Sequence, residues 1–81
     1  MWKYTVAVDG MMCSMCEAHT NEAIRRDFSV KKVKSSHAKN ETVIVCEDEL
    51  DEEALRKTIT DLGYDMGAVK KEPYKRFGFF G

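Results

Sequence analysis

The chain has 81 residues, which is enough for one small domain with a single core and too few to enclose a bulky cofactor. Hydrophobic residues make up 43% and charged residues 33%, a composition that argues against a disordered or membrane-embedded chain and is typical of a soluble globular protein. The 13 basic and 14 acidic residues leave a net charge of -1, so no overall field attracts nucleic acid or an acidic membrane. We therefore expect no nucleic-acid partner and no direct membrane insertion.

The N-terminus and the cysteines predict the compartment. Residues 1–8 lead straight into an Asp9-Gly10 turn, without the apolar segment and small-residue cleavage site of a secretory signal. A cytoplasmic location is the resulting expectation. The cysteines number three, and thiols stay reduced in that compartment, so we expect no structural disulfide framework.

The first part of the chain predicts a strand followed by a helix. Large side chains alternate along residues 1–8, which is the period of a strand with one apolar face. Those side chains are Trp2, Tyr4, Val6 and Val8. Over residues 15–26 the spacing becomes that of a helix with one inward stripe. The stripe contains Cys16, Thr20, Ala23 and Ile24, and Phe28 continues it.

The middle of the chain predicts a hairpin and a second helix. Residues 30–35 favour a second strand, residues 38–41 a turn and residues 42–46 a third strand. Acidic residues then precede an apolar stripe at helical spacing over residues 51–62, and Gly63 supplies the stop.

A last short strand over residues 64–69 completes the order β-α-β-β-α-β. This is the order of the ferredoxin-like α+β sandwich, in which a four-stranded antiparallel sheet carries both helices on one face. We expect a single domain over residues 1–70 and a C-terminal tail over residues 71–81 that contains the only proline, Pro73.

Two thiols stand three positions apart between the first strand and the first helix. Residues 9–16 read Asp-Gly-Met-Met-Cys-Ser-Met-Cys, which puts Cys13 and Cys16 at the predicted helix start. The unpaired N–H groups and the positive dipole end of a helix favour the thiolate, which is the form that binds metal. Side chains at this spacing are about 5–6 Å apart between Cβ atoms, so both sulfurs can turn onto one ion. Two soft ligands favour a soft cation, with Cu(I) as the first choice.

A thiol pair also has two other common uses. A redox dithiol of the thioredoxin or glutaredoxin kind needs a cis-proline at the start of a later strand, whereas Pro73 is expected beyond the sheet. A zinc site with four protein ligands needs further Cys or His residues at fixed spacings. The remaining candidates are scattered and form a weak set: Cys46, His19 and His37.

Five further residues have two interpretations each. His19 is expected on the wet surface of the first helix rather than at a metal, and Cys46 as a small apolar residue on the other face from Val45. Met12 and Met15 either pack or offer thioether ligands to Cu(I). Tyr64, at the junction of the second helix and last strand, either fills the core or covers the metal.

The sequence assigns no function to two segments, one rich in lysine and one rich in aromatic residues. The lysines of residues 31–34 are expected on the wet face of a strand, because the third strand lacks the aromatic residues on which ferredoxin-like RNA binders stack bases. The aromatic tail at residues 74–80 either folds back, meets another subunit or leads into further chain.

The thiol loop resembles that of the heavy-metal-associated (HMA) domain family. The resemblance rests on Gly10-Met-Met-Cys-Ser-Met-Cys16 and the Leu-Gly-Tyr ending at residues 62–64, and covers about residues 3–69. It implies Cys13 and Cys16 as metal ligands, with Met11 propping the loop from below and Tyr64 beside the ligands. The family includes bacterial copper chaperones and N-terminal modules of copper-transporting P-type ATPases.

The chain also departs from the family pattern at three positions. Met12 stands where the family most often has Thr, Glu17 where a small or apolar residue is common, and Thr20 where an inward-facing Val is usual. Zinc-selective members often carry a carboxylate directly before the first Cys. The methionine at that position here favours the softer ion.

The predicted function is therefore that of a non-enzymatic Cu(I) carrier, with other soft ions possible. The ion would pass to a copper-transporting P-type ATPase or to another domain with a Cys-x-x-Cys pair, by attack of the partner's thiolate before one ligand leaves. A homodimer bridged by the metal stays open. The alternatives are a small dithiol oxidoreductase and a Hg(II) or Cd(II) detoxification module.

Overall fold

The computed structural model describes residues 1–74 and has the element order predicted from the sequence. The elements are β1 (Trp2–Asp9), α1 (Ser14–Asp27), β2 (Lys32–Ser36), β3 (Glu41–Cys46), α2 (Glu52–Asp61) and β4 (Asp65–Pro73). The strands form one antiparallel sheet in the order β2-β3-β1-β4, with both helices on one face. The predicted ferredoxin-like sandwich is confirmed. None of the helices within residues 1–74 has the length and apolar character needed to cross a membrane.

The alternating side chains of β1 build the centre of the core. Tyr4, Val6 and Val8 are buried against the helices, as their period of two predicts. Each helix contributes its own apolar stripe, with Ile24 from α1 and Ile59 from α2 both fully buried. Because β1 lies between β3 and β4, these side chains fix the strand whose end leads into the thiol loop.

The two ends of α2 position the start of β4. Asp51 caps the helix by accepting hydrogen bonds from the backbone N–H groups of Glu53 at 3.0 Å and Ala54 at 3.3 Å. At the other end Gly63 has a φ of +94° and its N–H donates to the carbonyl of Thr60 at 2.9 Å. This glycine turn ends α2 as predicted and brings the next residue back over the sheet.

The last strand is longer than the sequence predicted. Instead of ending at residue 69, β4 continues to Pro73, which lies opposite Trp2. Its lysines interrupt the alternation of apolar and polar residues that would predict a strand. In the structure, Lys71 Nζ lies 4.2 Å from the centre of the Trp2 ring and 2.8 Å from Glu49 Oε2. A proline is tolerated because β4 is an edge strand.

The sheet also places Pro73 far from the thiol loop. Pro73 pairs with the first residue of β1, whereas the loop follows Asp9, the last residue of the same strand. The expectation that Pro73 lies beyond the sheet is therefore wrong, but it still does not face the thiols. The N–H of Tyr74 donates to the Met1 carbonyl at 3.0 Å, and the remaining residues of the aromatic tail lie outside the described residues.

Candidate metal centre

The thiol loop begins at Gly10, where two constraints require glycine. Its φ is +116°, a backbone conformation that residues with a side chain rarely adopt. A Cβ at this position would also lie only 3.0 Å from Cδ1 of the Tyr64 ring. The missing side chain therefore lets the loop cross directly beside Tyr64.

Replacing Gly10 with alanine is expected to destabilise the fold by about 1–3 kcal/mol, because strain at a positive φ is added to a clash with Tyr64. Urea unfolding measures this change. Gly63→Ala is a matched control, since Gly63 also has a positive φ but a methyl group added there would have no atom within 4 Å. Equal losses for the two variants would mean that the Tyr64 contact costs nothing.

Cys13 starts α1 without capping it. It occupies the N-cap position with φ -160° and ψ 178°, and its side chain accepts no hydrogen bond from the helix, in contrast to Asp51 at the start of α2. The residue is exposed. The sulfur of Cys13 is therefore free to turn outward, while the N–H groups of the first turn of α1 keep their positive potential.

Cys16 lies in the first turn of α1 and is half-buried. Hydrogen bonding from the Met12 backbone N–H, and then from the Tyr64 hydroxyl and from Cys13, lowers the pKa of Cys16 from 9.0 to about 7. Near neutral pH about half of this thiol is thus the thiolate, the form that binds metal and attacks electrophiles.

Tyr64 contacts both the core and the thiol pair. Its ring is half-buried and packs against the core cluster, and its hydroxyl faces Cys16. The hydrogen bond to Cys16, followed by burial and by the nearby thiols, raises the pKa of Tyr64 to about 12. The phenol therefore keeps its proton at neutral pH and acts as a donor to sulfur. Core filling and contact with the site, which are alternatives from the sequence, are both present in one residue.

Two solved structures that are similar to this chain are copper domains. The chain is similar to a copper binding domain from HMA7, a P-type ATPase, with a TM-score of 0.77 and 26% identity over 89% of this chain and 99% of that one. It is similar also to the yeast copper transporter domain CCC2A, with a TM-score of 0.73 and 29% identity over 82% of this chain and 92% of that one. These neighbours are heavy-metal-associated domains, and this chain has their fold together with a Cys-x-x-Cys pair.

A curated relative of the chain is a much longer protein. The chain is 30% identical over 71 residues to a mercuric reductase of Lysinibacillus sphaericus, a match that covers 88% of the chain but 13% of the relative. No family model matches the chain.

Two buried residues support the thiol loop from the side of the core. Met11 is 4% exposed and packs in the core cluster, between the glycine turn and the first cysteine. Thr20 is fully buried, and its hydroxyl donates to the carbonyl of Cys16 at 2.9 Å. The hydroxyl that stands where Val is usual in the family is thus satisfied inside α1 and leaves the cysteine side chain free.

The structure contains a polar link beside the thiol pair that the sequence did not predict. Glu17 Oε2 accepts a hydrogen bond from the His37 backbone N–H at 2.8 Å and lies 2.6 Å from His37 Nδ1. The His37 N–H, then its ring, lowers the pKa of Glu17. The pair ties the first turn of α1 to the turn after β2. Because twenty positions separate the partners, no local pattern indicates the link.

The other candidate ligands lie away from the thiol pair. His19 is exposed on α1, as expected. Cys46 is 1% exposed in the core, opposite Trp2 at the far end of β1, and its Sγ donates to the Asp48 carbonyl at 3.0 Å. Burial raises the pKa of the Cys46 thiol. Within residues 1–74 no group of three or more His, Cys, Asp or Glu side chains is arranged to hold an ion.

Proposed function

We propose that this domain binds one soft metal ion, Cu(I) in the first place, on Cys13 and Cys16 and passes it to a protein partner. The observation that carries the proposal is the thiol pair at an uncapped helix start. One sulfur is exposed, and the other has a pKa lowered to about 7. Similarity to two copper domains supports the choice of ion.

The number of donors also favours Cu(I). A structural zinc site takes four protein ligands, and within residues 1–74 no His, Cys, Asp or Glu side chain joins the thiols in such a group. Cu(I) is satisfied by two or three thiolates and prefers sulfur to oxygen. Met11 packs below the loop and Tyr64 packs beside it, so both support the backbone that carries the thiols. Neither covers Cys13, which stays exposed and accessible to an ion.

Transfer would proceed by ligand exchange. A thiolate of the partner attacks the bound ion at the exposed Cys13 side, a three-sulfur intermediate forms, and one thiolate of the donor leaves and takes up a proton. The partner would be a copper-transporting P-type ATPase or another domain with a Cys-x-x-Cys pair. This chemistry is the same for a free chaperone and for a module of a transporter, and it needs a reducing compartment such as the cytoplasm.

A second candidate function is capture of Hg(II). The observation that favours it is the 30% identity to a stretch of a mercuric reductase, of which the chain spans 13%. Two thiolates suit Hg(II) as well as Cu(I). Deletion of the gene separates the two, because it should raise copper sensitivity for the first function and mercury sensitivity for the second.

Anaerobic titration of the reduced chain with Cu(I), against a chromophoric Cu(I) chelator, tests the first proposal. The expected result is saturation at one ion per chain, followed by transfer when a second Cys-x-x-Cys domain is added. Competition that leaves all the copper on the chelator would contradict it. Turnover of a disulfide substrate such as insulin, without copper binding, would instead indicate a dithiol oxidoreductase.

A further inference from the structure

The thiol loop carries two methionines that do not serve the core. Within residues 1–74, Met12 and Met15 are the large hydrophobic residues left exposed, at 81% and 65% of their surface. Methionine usually fills irregular gaps in an apolar interior, as Met11 and Met66 do here at 4% and 7% exposure. Packing, one of the two uses expected from the sequence, therefore accounts for neither of the exposed pair.

Each exposed methionine directly precedes one of the two cysteines in the chain. Met12 precedes Cys13, the N-cap residue of α1, and lies in the loop that leads into the helix. Met15 precedes Cys16 in the first turn of α1. Helical side chains lean toward the N-terminus of their helix, so the Met15 thioether extends toward the end at which both thiols stand.

A thioether adds a kind of ligand that the two cysteines do not provide. It is a soft, neutral sulfur that binds Cu(I) and has no proton to lose, so its binding does not weaken as the pH falls. Zinc in proteins is instead bound by thiolate, imidazole and carboxylate. A thioether beside the pair would thus strengthen binding of Cu(I) and leave binding of Zn(II) unchanged.

We infer that Met12 and Met15 offer a third, neutral sulfur ligand to the Cu(I) held by Cys13 and Cys16. The loop thereby prefers Cu(I) over Zn(II) without a further thiolate. This inference rests on the proposed function, since it assigns the ion a place on the same pair. The two side chains could instead form an apolar contact surface for a partner. In that case replacing them would not change the affinity of the isolated domain for metal.

The test replaces both methionines by leucine, which keeps size and apolar character and removes the sulfur. Competition with a Cu(I) chelator and, separately, with a Zn(II) chelator gives the two affinities of wild type and of Met12→Leu/Met15→Leu. The expected result is a loss of about tenfold or more in Cu(I) affinity, the scale on which outer ligand partners act, with no change for Zn(II). Urea unfolding should be unchanged, because both side chains are exposed.

The outcomes separate this inference from the proposed function. Equal Cu(I) affinity in wild type and variant, or an equal loss for both metals, overturns the thioether role and leaves the thiol site in place. A wild-type chain that binds no Cu(I) overturns both. Methionine methyl NMR gives an independent readout. Cu(I) should shift the Met12 and Met15 signals and leave that of buried Met66 in place, and three unshifted signals would overturn the inference.

Discussion

Replacing Cys13 and Cys16 together by serine is expected to reduce Cu(I) binding from one ion per chain to background. Serine keeps the shape of the side chain but offers a hard hydroxyl that does not ionise at neutral pH, so both soft donors are lost. The fold should persist, because Cys13 is exposed and Cys16 only half-buried. Chelator competition on the reduced proteins measures binding, and circular dichroism checks the fold.

Two single variants serve as controls for the double serine variant. Cys46→Ser removes the third thiol, which lies in the core at the far end of β1, and should leave copper stoichiometry unchanged. His19→Ala removes an exposed imidazole from α1 and should also leave it unchanged. Copper binding that survives in the double variant, or that His19→Ala abolishes, would show that the ligands have been assigned to the wrong side chains.

The fold was predictable where one face of an element is buried. The alternation of Tyr4, Val6 and Val8 indicates β1 because each second side chain enters the core. The extent of β4 was not predictable in the same way. As an edge strand it buries few side chains, and Lys71 is held by the Trp2 ring and by Glu49 rather than by burial in the core. The charged residues at the end of β4 therefore suggested a tail, although the backbone of this segment still pairs with β1.

The thiol pair was predictable from its spacing, but its surroundings were not. The spacing of three positions from Cys13 to Cys16, at a predicted helix start, is visible in the sequence alone. The Met12 backbone N–H is the group that lowers the pKa of Cys16 most, and its position depends on the conformation of the loop. The Glu17 and His37 pair depends on where a distant hairpin lies. Sequence patterns describe which groups are present, whereas loop conformation and long-range pairing decide which groups meet.

The second prediction with a large expected effect concerns the pH at which the Cys16 thiol loses its proton. In wild type, alkylation of Cys16 by iodoacetamide should be half-maximal near pH 7, because the pKa is lowered to about 7. Tyr64→Phe removes the second-largest cause of that shift, so the midpoint should move upward. It should stay below 9.0, since the Met12 N–H remains. Peptide mapping by mass spectrometry follows each cysteine separately across the pH range.

The sign of the linked effects follows from a folded-state pKa that lies below the ordinary value of 9.0. The thiolate of Cys16 stabilises the fold above pH 9, and that contribution is lost as the pH falls through about 7. Protons compete with Cu(I) over the same range, so copper affinity should begin to fall at a higher pH in Tyr64→Phe than in wild type.

Tyr4→Phe is the matched control for Tyr64→Phe, because it removes one phenolic hydroxyl from the same domain at a place remote from the thiols. The Tyr4 hydroxyl accepts a hydrogen bond from the Leu50 N–H at 2.9 Å, and its loss leaves that donor unpaired. Tyr4→Phe should therefore lower stability to urea and leave the Cys16 midpoint near pH 7. If the two variants titrate alike, the Tyr64 hydroxyl has no influence on Cys16, and the loop backbone alone sets the acidity of the thiol.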